Sequence, residues 1–308
     1  MKILSRENSF YSFEKGLECK LTVEQGERFK VETYDCRGGR LQRHDQLLTT
    51  APDWNSAQPK TNPCTGPVAV KGVNAGDTVR IDIHRIDLET RGFVLQKTDM
   101  GICKQFVDKD QVVFAEIQGE EIRLECGIAL PIRPHIGTLG VTPLDAAATG
   151  FAGKHGGNMD CRQLEPGAAL YLPAQICGGA IGVGDVHASM GSGELMGTGI
   201  EIGATVELSV ACVADIRVTG PVVCTQNTVI TIGSAPQLQE ALETASSSML
   251  ELLERYGGYS RTAALSLLTA ICDAGICQGF DTDMFSVASV SIPHKYLPMF
   301  QSAERKYI

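Results

Sequence analysis

Asp160, Asp185 and His187 are the side chains in this sequence best suited to hold a metal ion. All three fall in the stretch 156–201, which also carries eleven glycines. Glycine loses more conformational freedom on folding than any other residue, so a strand-forming segment this rich in it points to a site more than to a scaffold. Asp185-Val186-His187 closes an apolar run, Ala180–Gly184. In an extended chain, positions i and i+2 face the same side, roughly 7 Å apart. Asp160 follows Gly156-Gly157-Asn158-Met159, where backbone can approach closely. Two carboxylates and an imidazole form a hard-to-borderline donor set, suited to zinc first and to manganese or calcium as alternatives. Three protein ligands leave a position for water or substrate. Spacing alone leaves a structural reading open, because Asp is also an ordinary turn residue in Gly-rich loops.

Further candidates flank this set. Glu194, in Gly191-Ser192-Gly193-Glu194, is either an exposed loop carboxylate or, turned inward, a base for activated water and an acid for a leaving amine. Glu201 alternates with apolar neighbours and is either the wet face of a strand or a second acid in the cleft. His135 lies in Arg133-Pro134-His135-Ile136-Gly137-Thr138, read as a rigid loop entering a cleft. A ligand, a donor to substrate and a buried structural histidine are all open for it, with Gly137 and Thr138 beside the substrate. No G-x-S-x-G elbow occurs, so a serine nucleophile has no support. Cys161, next to Asp160, is the one thiol near the candidate site.

The elements that position these residues read as strands. A glycine, a short step and alternating apolar positions recur at 75–83, 166–172 and 202–210. Further strands are expected at Cys19–Gln25, Phe29–Thr33, Pro67–Val73, Gln111–Gln118, Ile122–Glu125, Ala180–Gly184, Asp215–Thr219 and Val229–Gly233. After Ser234, a plausible N-cap, Leu238, Leu242, Ala245, Met249, Leu252 and Leu253 recur at helical spacing up to Gly257-Gly258. Ser260 opens a second helix running to about Gly275, and a last strand is expected over Met284–Ile292. The fold class is mainly β with added helices (α+β): a β-sandwich-like core or distorted barrel with a C-terminal helical hairpin. We read one compact unit with an N-terminal β subdomain (1–130), the Gly-rich region carrying the site (131–233) and the hairpin with its final strand (234–308).

The totals narrow the function classes. The chain has 308 residues, 43% of them hydrophobic and only 6% aromatic, so its core is aliphatic. With 33 glycines and 13 prolines, short strands and turns are favoured over a helical bundle. A net charge of −9 without a basic run argues against nucleic acid and disfavours strongly anionic substrates, although a local pocket can differ. No apolar stretch has signal-peptide or membrane-spanning length. Eleven cysteines, odd in number and without a C-x-x-C pair, point to reduced thiols in a cytoplasmic protein. At this size a homo-oligomer is expected.

The chain resembles the acetamidase/formamidase family at these same residues. The resemblance rests on Pro134-His135-Ile136-Gly137 with Gly140-Val141-Thr142-Pro143, Gly156-Gly157-Asn158-Met159-Asp160, and Leu170-Tyr171-Leu172-Pro173. It continues through Gly184-Asp185-Val186-His187-Ala188, Gly193-Glu194 and Gly199-Ile200-Glu201. It implies a β-sandwich-like fold with added helices. It also implies a divalent metal at Asp160, Asp185 and His187, with Glu194 and Glu201 in the same cleft. The implied activity is hydrolysis of a small neutral amide, such as formamide or acetamide, to ammonia and a carboxylate. Two rival readings are a non-catalytic binding protein with a structural ion and a hydrolase of another carbonyl compound. The sequence departs from the family pattern at Ser192, where an Asp is usual, and at Asn62, where a His is frequent.

Overall fold

The computed structural model describes residues 1–53, 56, 60–279 and 285–303. The elements that matter for the site are β1 (Phe29–Thr33), β2 (Cys64–Val70), β3 (Thr78–Gln96), β4 (His135–Val141), β5 (Gly156–Asn158), β6 (Ile181–His187) and β7 (Glu201–Val213). They are followed by β8 (Thr228–Ala235), α1 (Leu238–Arg255), α2 (Arg261–Ala270), β9 (Asp273–Gln278) and β10 (Ser286–Pro293). Among the described residues, nineteen strands hydrogen-bond as one curled, largely antiparallel sheet, and a two-stranded ladder stands apart. The architecture is mainly β, with two α-helices among the described residues. Neither helix is long and apolar enough to cross a membrane.

Curling follows from long strands that bend. β3 and β7 pair antiparallel along almost the whole of β7, with register shifts at Ile202/Ala204 and Glu207/Leu208. Such bulges increase local twist and let one sheet wrap on itself. The interior holds Val79, Ile81, Ile83, Val206 and Leu208 from this pair, facing Ile136, Leu139, Val183 and Val186. Every residue of β4 and of β6 is buried, so both read as continuous rather than alternating strands. On the other flank, α1 lays Ala245, Met249, Leu252 and Leu253 against β8 and β10. Each fully buried Leu there contributes about 1.5–3 kcal/mol.

Three expected elements differ. Asp215–Thr219 forms no strand. The Tyr256 hydroxyl receives the Arg217 amide (2.5 Å) and donates to the Arg217 carbonyl (3.0 Å), doing for this backbone what a neighbouring strand would do. Ser234 lies inside β8, paired with Val287, and the cap of α1 is Gln237. Pro236 explains the delay, because the residue before a proline is pushed away from helical geometry. Ser260 does cap α2, with its hydroxyl accepting from the Ala263 amide. That helix stops at Ala270, however, and Asp273–Gln278 pairs with β10 instead, so cross-strand partners override a weak helical period. The final strand starts at Ser286, and Met284 lies outside the described residues.

One buried histidine of the scaffold gives a pH prediction. His155 is 5% exposed, packs edge-on against Phe13, and its Nε2 has no hydrogen-bond partner. Burial lowers its pKa to about 4. The unfolded imidazole titrates near 6.5, so between these values the unfolded chain binds more protons and stability rises with pH. This contribution, of order 3 kcal/mol, is complete above pH ~6.5 and is lost as pH falls toward 4. Urea titrations at pH 7.5 and 4.5 are expected to show a smaller pH difference for His155→Gln than for the parent. Equal differences would refute the assignment.

Candidate functional site

Three adjacent strands and two loops build the site. The antiparallel register of β4 on β6 sets His135 opposite His187 and Thr138 opposite Gly184, and the ladder skips the step between, where Gly137 faces Asp185. β6 then meets β7 with His187 opposite Glu201. Asp160 arrives just after β5, its amide and that of Met159 donating to the Gly137 carbonyl (3.2 and 3.0 Å). Glu194 comes from the 191–197 loop. Gly193 clamps that loop to β9: its amide donates to the Cys277 carbonyl and its carbonyl accepts from the Gly279 amide, both at 3.2 Å. Ser192 sits exposed on the outside of this loop while Glu194 is 5% exposed, so the loop turns inward with serine there.

The strand carrying Asp185 is kinked where a regular pleat was expected. Asp160, Asp185, Glu194 and Asn62 have φ of 46°, 54°, 45° and 50°. The left-handed region is tolerated by Asn and Asp but is a poor one for Glu. Each such residue costs about 1–3 kcal/mol and persists only where its surroundings impose it. Asn62 fixes one of them: its Nδ2 donates to Asp185 Oδ2 at 2.6 Å, and the Thr61 hydroxyl donates to its Oδ1 at 2.6 Å.

The result is four carboxylates around one imidazole, all nearly sealed from solvent. His187 Nε2 lies 3.0 Å from Glu201 Oε1 and 3.8 Å from Asp185 Oδ1, and Nδ1 lies 3.9 Å from Asp160 Oδ1. Nδ1 also lies 3.1 Å from Nε2 of His135, whose Nδ1 lies 3.3 Å from the Arg133 carbonyl. Burial, then His187, pulls the His135 pKa to about 3, so it is neutral. Burial and neighbouring carboxylates push Asp160 and Glu194 well above the usual carboxylate range. Burial also acts to raise Asp185, but His187 and Asn62 outweigh it and hold Asp185 low. For His187, burial is outweighed by Glu201 and Asp185, and its pKa rises.

Both oxygens of Asp160, and one each of Asp185, Glu194 and Glu201, are buried without a hydrogen-bond partner. Unpartnered buried carboxylate oxygens are costly, and a cation is the ordinary remedy. Donor atoms of Asp160, His187 and Glu194 lie within 4.8 Å of one another, as do those of Cys36, Asp185 and Glu201. The first set offers O and N donors and the second adds a thiol, and either suits a divalent ion such as zinc; the expected trio of Asp160, Asp185 and His187 is divided between them.

A cavity of about 310 Å³ opens on this cluster, with Asp185, Glu194 and Glu201 in its wall. Asp160, His187, His135, Gly137 and Thr138 do not line it. His135 begins β4 and lies against His187, Gly137 makes room between the two aspartates, and Thr138 is fully buried and donates to Asn158 Oδ1 (2.6 Å). Several residues in the wall carried little or no signal in the sequence: Cys36, Arg37, Asn158 and Gln278. Asn158 alternates with Asp160 and could have been found from that spacing. The others come from distant segments that only the tertiary fold brings in.

The sequence profile described as the Acetamidase/Formamidase family matches residues 6–149 and 144–297, nearly the whole chain. The chain belongs to the acetamidase/formamidase family. Its fold is shared with the crystal structure of an acetamidase from Bacillus halodurans (TM-score 0.90, 29% identity, covering 96% of this chain and 99% of that one). A recombinant predicted acetamidase/formamidase from Thermoanaerobacter tengcongensis is equally similar (TM-score 0.89, 29% identity, 97% of each chain). A formamidase candidate of Schizosaccharomyces pombe is 22% identical over 233 residues, 56% of this chain and 56% of that protein. The matched part thus spans about half the length of that curated relative.

Proposed function

We propose that the chain is a metal-dependent amidase that hydrolyses short aliphatic amides of the formamide and acetamide type, releasing ammonia and a carboxylate. The observation that carries this reading is the set of unpartnered, buried carboxylate oxygens beside His187 at the floor of a cavity, in a member of this family. Asp160, Asp185 and His187 would hold the ion, zinc before manganese or calcium. When bound, such an ion supplies a Lewis acid for the amide carbonyl and lowers the pKa of a coordinated water toward neutrality.

The protein's own groups divide the remaining work. Glu194, in the cavity wall, takes the proton of the attacking water and returns it to the departing amine. Glu201, whose Oε1 lies 3.0 Å from the unbonded His187 Nε2, stands beside the ion's place as a second acid, while His135 meets the other ring nitrogen, Nδ1, at 3.1 Å and orients the ring. Asn158 accepts at Oδ1 from Thr138 and, at 3.5 Å, from Asn62, which turns its Nδ2 donor toward the cavity and the substrate oxygen. His135, held neutral beneath His187, supports that ring. A cytoplasmic homo-oligomer is part of the same reading.

The test combines metal analysis with ammonia release. Asp185→Ala and His187→Ala are each expected to lose the ion and at least about 10³-fold in turnover, and chelation of the parent is expected to do the same until divalent ion is restored. Full metal occupancy with unchanged ammonia release in both variants would end the proposal. Binding of amides without turnover by the metal-loaded parent would favour a binding protein with a structural ion.

A further inference from the structure

We propose that the substrate amide carries a carboxylate at its far end and that Arg37 receives it. This deepens the amidase reading and rests on it. Arg37 lines the same cavity as Asp185, Glu194 and Glu201, yet it is only 4% exposed. Among the described residues, no carboxylate lies within ion-pair distance of its guanidinium. Its one side-chain bond runs from Nη1 to the Thr50 carbonyl at 3.3 Å. Neither Nε nor Nη2 is among the buried, unpartnered atoms, so both reach accessible space, and the cavity is the space that Arg37 lines. Lys97, the other cation in this wall, is already paired with Asp99 and Asp110.

Burying a guanidinium without a counter-charge is costly, and residues in this position are paired or serve a ligand. The surrounding backbone holds Arg37 in place. Asp35 Oδ1 accepts from the Arg37 amide (2.8 Å) and the Gly39 amide (3.0 Å), and Arg40 Nε donates to the Arg37 carbonyl (2.7 Å). The planar fork matches a carboxylate bidentately. A cavity of about 310 Å³ also exceeds the needs of a one- or two-carbon amide. Arg37 and the acidic cluster line one cavity, so a single occupant can meet both. The chemical class is the mono-amide of a short dicarboxylic acid. Its hydrolysis breaks the C–N bond, adds water across it, and yields ammonia and the dicarboxylate. This local pocket runs against the general disfavour of anions that a net charge of −9 imposes.

Succinamate and butyramide, equal in chain length and different in charge, separate the ideas. With metal-loaded enzyme, kcat/KM is expected to favour succinamate. Arg37→Gln should reduce it for succinamate about 10- to 100-fold more than for butyramide, through KM, with Arg37→Lys intermediate. Preference for butyramide in the parent, or equal losses for both amides in Arg37→Gln, would overturn the proposal. Calorimetric binding of succinamate keeps the two readings distinct. Arg37-dependent binding without ammonia release supports carboxylate recognition and counts against amide hydrolysis. Hydrolysis of both amides with no Arg37-dependent difference does the reverse.

Discussion

Glu194→Gln is expected to remove nearly all turnover while leaving the metal in place. The glutamine keeps the volume and one oxygen of the side chain, in a loop held by Gly193 against Cys277 and Gly279. What it loses is the ability to take a proton. General acid–base catalysis contributes about 10²–10⁴-fold, so kcat should fall by that amount with KM little changed. Metal content by elemental analysis decides between two roles, since Glu194 donor atoms also lie within 4.8 Å of those of Asp160 and His187. Retained metal with lost kcat assigns the base. Loss of both would make Glu194 a ligand and move the base to Glu201, the other acid in the cavity wall.

Gly137→Ala is expected to be nearly as damaging, although the added methyl touches no substrate. A Cβ at this position would stand 2.6 Å from Asp160 Oδ1, 2.6 Å from the Asp185 carbonyl and 2.8 Å from Asp185 Oδ2. The carbonyl belongs to β6 and cannot swing away as a flexible side chain would. Overpacking of this kind costs about 1–3 kcal/mol. Pushing two aspartates apart by ~1 Å is enough to lose about 10²-fold in rate. The readouts are the urea midpoint, metal affinity and ammonia release. Parent-like metal affinity and rate in a folded Gly137→Ala protein would show that the two carboxylates need not converge here.

Local pattern made the strands legible where one face or both faces are apolar. Phe29–Thr33 and Gln111–Gln118 form as expected, and Ser260 caps its helix. Pattern failed where a side chain from elsewhere substituted for a strand neighbour, as Tyr256 does for Arg217, and where a proline delayed a helix. For the site, Asp-x-His and the Gly-Gly-Asn-Met-Asp string were visible because their residues are close in sequence. The kink at Asp185 was not, because left-handed geometry at a non-glycine residue is imposed by neighbours that sequence spacing does not reveal. Cys36 and Arg37 were invisible for the same reason. They lie about 150 residues from Asp185 and reach the cavity only once β1 has paired with β7.

The left-handed turns at Asn62, Asp160, Asp185 and Glu194 limit how far this site can travel. Copying its ligands onto a regular antiparallel sheet would transfer the donor types without their directions, since a flat pleat would aim the carboxylates elsewhere. A transplanted site must bring the whole of β4, β6 and the Asn62 and Glu194 loops, segments drawn from distant parts of the chain. New chemistries should therefore arise from changes in the cavity wall, where Arg37 and Lys97 stand, rather than from moving the acidic cluster to another scaffold.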